Sequence, residues 1–67
     1  MIKRSIRLAG HGTSVALEPE FWAALEVRAA REGLTLPQLM AQLDAERGPR
    51  SLASACRVAA LAWAAQA

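Results

Sequence analysis

Thr13-Ser14-Val15-Ala16-Leu17-Glu18-Pro19-Glu20-Phe21-Trp22, continuing to Arg31-Glu32-Gly33, is the stretch whose reading decides the fold. Val15 and Leu17 alternate with Ser14 and Ala16, which is the period of a half-buried strand. Pro19 ends the strand and suits the first turn of a helix, where the amide hydrogen it lacks would be unpaired anyway. A strand over about 13–18 therefore passes directly into a helix over about 19–32. Such a strand needs a partner, and a second copy of the chain is the natural source.

Working outward, Gly33 supplies the left-handed residue that commonly stops a helix. Phe21, Ala24, Leu25 and Ala29 form an apolar stripe at helical spacing. Arg28 sits on its edge, either with a packed stem and a wet head or as an ion pair with Glu32. Glu18 is a weak N-cap whose charge suits the positive end of the helix. Thr35 followed three residues later by Gln38 is a capping box, so a second helix runs over about 35–47. Leu36, Leu39, Met40 and Leu43 give it a core face, and Gly48-Pro49 ends it. Ser51 caps a third helix over about 51–65. That helix is alanine-rich and apolar nearly all round, with Leu52, Val58, Leu61 and Trp63 as its larger groups. A helix of that kind needs burial.

Upstream, residues 2–8 also alternate, with Ile6 and Leu8 set against Ser5 and Arg7. Gly10 and Gly12 flank His11 and mark a turn or hinge. Residues 3–8 either pair with 13–18 as a hairpin or form an arm reaching a ligand. Lys3, Arg4 and Arg7 lie in the first 11 residues with no acid among them, whereas the rest of the chain is nearly neutral. Short basic arms bind phosphate backbones. The organisation is thus a basic arm or edge strand over 1–12 and a domain over 13–67.

The chain has 67 residues, one cysteine and one histidine. A core of this size is marginal without a disulfide, a metal or an oligomer. Cys56 has no partner within the chain, and Cys56 with His11 cannot supply four zinc ligands, so no cofactor or metal is expected. Oligomerisation is the remaining route. A single cysteine fits a reducing, cytoplasmic setting. No secretory leader is read at Met1-Ile2-Lys3-Arg4. The apolar run Leu52 to Ala65 is shorter than the roughly 20 residues a bilayer requires. No nucleophile stands beside a base, so enzymatic chemistry is not expected.

Arg4-Ser5-Ile6-Arg7-Leu8-Ala9-Gly10-His11, then Thr13-Ser14-Val15 to Glu18-Pro19-Glu20-Phe21-Trp22, then Ser51-Leu52-Ala53-Ser54-Ala55 and Arg57, together resemble the ribbon-helix-helix family. The likeness is to a small bacterial subfamily with an N-terminal extension and a third helix. It implies a mainly α fold with a short strand. It also implies an intertwined homodimer whose two-stranded antiparallel ribbon takes one strand from each chain. Val15, Leu17, Phe21, Leu25, Leu39 and Leu43 would form the dimer core. Double-stranded DNA would be met by the ribbon in the major groove and by the N-terminus of the second helix at a phosphate. The residues implied are Ser14 and Ala16 on the ribbon, with Thr35, Leu36 and Gln38 at the helix. The outward face of the 13–18 strand, Gly12, Ser14 and Ala16, is poor in donors, so Lys3, Arg4, Arg7 and His11 of the arm are expected to carry much of the affinity. A homodimeric DNA-binding regulator is the first reading. The second is a dimerisation scaffold that binds another protein through the third helix, antitoxin-like roles included.

Overall fold

The computed structural model describes residues 1–66. Two strands, β1 (Ile2–Leu8) and β2 (His11–Leu17), precede three helices, α1 (Pro19–Glu32), α2 (Leu36–Glu46) and α3 (Leu52–Gln66). Residue 67, at the end of the expected domain, lies outside the described residues.

Residues 2–8 take the hairpin alternative. β1 pairs antiparallel with β2 in the register Ile2 with Leu17, Arg4 with Val15, Ile6 with Thr13 and Leu8 with His11. Ala9 and Gly10 join the strands with φ of 49° and 84°. A two-residue turn with both central residues at positive φ has the twist that matches a hairpin. The resemblance implied a ribbon with one strand from each chain. Here both strands belong to one chain, because this short turn delivers β1 directly onto an edge of β2.

One face of the ribbon is apolar. Ile6, Leu8, Val15 and Leu17 are buried against the helices. Alternation fixes which side chains face in, since a one-residue slip would expose all four.

Pro19 opens α1, and the Glu18 carbonyl accepts from the amides of Phe21 and Trp22. The Glu18 side chain makes no capping bond. Gly33, at φ 69°, closes the helix while the Leu34 amide donates to the Ala29 carbonyl. The buried face of α1 is Trp22, Leu25 and Ala29. This corrects the expected stripe: Trp22 takes the deep position, and Phe21 is half-buried at the core's margin. The Trp22 Nε1–H donates to the Ile2 carbonyl at 2.8 Å, which ties α1 to the far end of the ribbon.

Both halves of the α2 capping box form. Thr35 Oγ1 accepts from the Gln38 amide at 3.2 Å, and Gln38 Oε1 accepts from the Thr35 amide at 2.9 Å. Leu39 and Met40 are buried, with Leu43 half-buried. In α3, Ser51 Oγ accepts from the Ser54 amide at 3.1 Å, and Ala55, Cys56 and Ala60 face the core. The Cys56 thiol lies 3.7 Å from the Met40 sulfur.

Val15, Leu17, Leu25 and Leu39, expected to build a core shared by two chains, close a core within one. Phe21 and Leu43 sit at its periphery. The other side of α3 is left open: Leu61 is 71% exposed and Val58 43%.

Candidate nucleic-acid interface

Strand alternation sorts the basic residues of the N-terminal segment. Ile6 and Leu8 must face the core, so Lys3, Ser5 and Arg7 face away from it. The register sets Lys3 opposite Ala16, Ser5 opposite Ser14, and Arg7 opposite Gly12. Each long cation therefore stands beside a short cross-strand neighbour, with two hydroxyls between the cations. The outward face is Lys3, Ser5, Arg7, Gly12, Ser14 and Ala16, with Ala16 half-buried and the others exposed. Taken alone, the β2 half is poor in donors. β1 adds the charge, so the basic segment and the ribbon are one surface.

Lys3 and Arg7 are four residues apart, or about 13 Å along the strand. A ribbon of this kind fits a major groove about 12 Å wide. Two cations at that separation can engage different phosphates, while Ser5 and Ser14 offer hydroxyls between them and Ala16 a methyl contact.

Arg4 and His11 have the opposite parity and lie on the inner side of the hairpin. The Arg4 guanidinium stacks 4.7 Å from the centre of the Trp22 ring and pairs with Glu26 at 2.8 Å. It clamps β1 to α1 and is not displayed with Lys3 and Arg7. His11 is exposed at the turn end of the hairpin, beside a groove lined by Leu8, Val15, Asp44, Arg47 and Leu52. The alternation of residues 2–8 already carried this division, because Arg4 shares the parity of Ile6 and Leu8.

At the start of α2 the capping box uses the amides of Thr35 and Gln38. The Leu39 amide donates to the Thr35 carbonyl at 3.1 Å, and Pro37 has no amide hydrogen. Of the residues expected to cradle a phosphate, Leu36 alone keeps an uncommitted amide.

Further ion pairs brace the scaffold behind the ribbon. Arg57 of α3 pairs with Glu18 at 3.0 Å, beneath the turn from β2 into α1. The Glu18 carboxyl is held below its ordinary range, first by its own backbone amide and then by Arg57. Arg28 pairs with Glu32, the second of the two alternatives expected for it, and its guanidinium lies 5.0 Å from the centre of the Trp63 ring. Arg47 holds Asp44 and the Arg50 carbonyl across the α2–α3 connection. Burial pushes the Cys56 thiol up to about 11, so it behaves as a small apolar core group. No described helix is long and apolar enough to cross a membrane.

A two-stranded antiparallel ribbon running straight into capped helices, with cations on its free face, defines a ribbon-helix-helix class of architecture. The chain belongs to that family: the ribbon-helix-helix domain model matches residues 1–64. No curated protein and no solved structure matches it. Domains of this family are typically regulatory, non-enzymatic and homodimeric on DNA.

Proposed function

We propose that the protein is a homodimeric, cytoplasmic DNA-binding regulator that lays the outward face of its hairpin into the major groove. The observation that carries this reading is the strand register, which gathers Lys3 and Arg7 around the Ser5–Ser14 pair. Lys3 and Arg7 engage phosphates and supply most of the affinity. Ser5, Ser14 and Ala16 make short contacts at base edges, and Leu36 offers one amide to a flanking phosphate. Arg4 acts in this reading as a support for β1, and His11 stands at the rim of the interface.

The test is binding to a pool of genomic duplex fragments over a range of salt. Wild-type affinity falls steeply as salt rises, with a slope near −0.9 for each phosphate neutralised. Changing Lys3 and Arg7 to Ala flattens that slope, whereas Arg4→Ala, compared at equal folded fraction, leaves it unchanged. Wild-type binding and slope in a folded Lys3→Ala/Arg7→Ala protein would refute the assignment.

A second reading, association with another protein, is favoured by one observation, the exposure of Val58 and Leu61 on α3.

A further inference from the structure

The outward face of the ribbon leaves a second surface unused, between α1 and α3. Two adjoining grooves there share Glu20, Ala24, Ala60 and Ala64. Val27, 61% exposed, and Trp63 line the first groove, and Leu61 lines the second. No residue of either strand lines either groove. Short side chains at Ala24, Ala60 and Ala64, set among longer ones at Val27, Trp63 and Leu61, make an apolar notch. Side-chain size at the contact sets how closely helices approach, so an alanine floor admits a helix deeply.

Charge and shape together indicate what covers the notch. Of the charged residues that line it, Arg28 is held by Glu32 and Arg57 by Glu18. Among the described residues, neither Glu20 nor Arg31 takes part in an ion pair. These two stand at opposite ends of the α1 stripe, three helical turns or about 16 Å apart, with Ala23, Ala24 and Val27 between them. Both also suit the dipole of α1 itself, but that role does not require them to share one stripe with the notch. A helix laid antiparallel to α1 brings its first turn to Arg31 and its last turn to Glu20. An acid in the first turn and a base in the last are what any helix dipole favours, and that order meets both free charges. A parallel helix would need the reverse order, against its own dipole. Shape argues against a second copy of this face as the occupant. A two-fold axis sets like against like, and a notch facing a notch leaves a void where packed interfaces have none. One amphipathic helix, with apolar side chains at i, i+3, i+4 and i+7, supplies the ridge that fills it.

We infer that the α1–α3 notch receives one amphipathic helix of a different protein, antiparallel to α1, with an acidic first turn, a basic last turn and an apolar stripe between them. The inference rests on the protein-association reading above and gives that partner its chemistry and its direction, while DNA contact stays with the ribbon.

The probe is a displayed library of helical peptides about 14 residues, or roughly four turns, long, with the apolar and charged positions randomised. It is selected on the full chain and, in parallel, on Leu61→Asp and Ala64→Trp, each verified as folded by circular dichroism. Enriched peptides are then synthesised and titrated by fluorescence anisotropy. They are expected to carry an acid in the first turn and a base in the last. Leu61→Asp puts a carboxylate where apolar groups must be desolvated, and Ala64→Trp fills the notch, so each weakens binding by at least about tenfold. Glu20→Arg/Arg31→Glu reverses the preference, so that a peptide with its end charges exchanged binds more tightly than the original. Lys3→Ala/Arg7→Ala binds the peptides as wild type does. A library with no enrichment on wild type over the two variants would overturn both the inference and the association reading. Peptides that depend on Leu61 but show no charge order, or ignore the double reversal, would overturn the inference and leave association through α3 standing. Sedimentation supplies the remaining outcome: a dimer that becomes monomeric on Leu61→Asp would show that a second copy covers the notch, and would overturn the inference as well.

Discussion

Replacing Trp22 tests the link between helix and ribbon on which the placement of Lys3 and Arg7 depends. The indole is 1% exposed, its Nε1–H donates to the Ile2 carbonyl at 2.8 Å, and one ring face carries the Arg4 guanidinium at 4.7 Å. Trp22→Ala removes all three interactions, and truncating a buried Trp costs about 3–5 kcal/mol. A domain of this length has roughly 3–10 kcal/mol in total, at about 0.05–0.15 kcal/mol per residue. The Ala variant is therefore largely unfolded, or close to it, at 25 °C. Trp22→Phe is the sharper probe. It keeps most of the apolar area but leaves the part-buried Ile2 carbonyl without its donor, at about 1 kcal/mol. For a domain of this size that lowers Tm by about 4–8 °C. Arg4→Ala costs about 0.5–1 kcal/mol through the lost cation–π contact. Its ion pair with the half-exposed Glu26 contributes at most about 1 kcal/mol more. Thermal melts by circular dichroism at one fixed protomer concentration measure these losses, and amide exchange of β1 locates them. A Trp22→Phe protein with wild-type Tm and unchanged protection in β1 would show that the indole does not hold the ribbon.

Other consequences follow from the caps, the turn and the titratable groups. Thr35→Ala removes half of the capping box and costs about 1 kcal/mol, read as a lower urea midpoint with an unchanged m-value. Gly10→Val forces a β-branched residue to the positive φ of the hairpin turn; destabilisation concentrated in β1 protection is expected, and uniform loss across the chain would contradict it. Because the folded Glu18 carboxyl lies below its ordinary 4.5, its stabilising effect is complete above that value and is lost as pH falls through the folded pKa. An acid titration of stability should therefore be less steep in Glu18→Gln than in wild type. The Cys56 thiol, raised from 9.0 to about 11, has the opposite sign: its contribution is complete below pH 9 and is lost as pH rises toward 11. At pH 8 a thiol reagent should modify Cys56 only as fast as the protein opens, and rapid labelling of folded protein would refute its burial.

The end of β2 and the limits of the three helices were legible because each is written in local stereochemistry, whereas β2 starts at His11, inside the stretch expected as a turn. Pro19, Gly33, the Thr35–Gln38 pair and Ser51 act within a turn of where they stand. The phase of α1 was less so. Phe21 with Leu25 and Trp22 with Leu25 and Ala29 both satisfy a 3.6-residue period. The choice between them falls to a distant group, the Ile2 carbonyl that the Trp22 indole reaches. The same holds for Arg4, which composition groups with Lys3 and Arg7. Strand parity separates it from them, but only once residues 2–8 are known to be a strand. Which edge partner β2 takes was not legible, because one backbone ladder looks like another to the residues that form it. The two-residue turn decides it: Gly10 announces a turn, but Ala9 holds the first positive-φ position, where an asparagine or glycine would have marked a tight hairpin.

The origin of the ribbon's strands has a consequence for how dimerisation and DNA binding are coupled. In an intertwined ribbon, separating the chains destroys the reading surface, so a monomer makes no groove contact. Here each protomer carries its own hairpin, with Lys3 and Arg7 already in register. A folded monomer should therefore keep its ribbon contacts. If Lys3 and Arg7 each neutralise one phosphate, one protomer contributes a salt slope of about −1.8 and two contribute about −3.6. Separating the protomers should then halve the slope and reduce affinity to that of a single ribbon. A folded monomer with no salt-dependent binding at all would mean that the ribbon on DNA is assembled from two chains, and that the hairpin opens to exchange its strands before it binds.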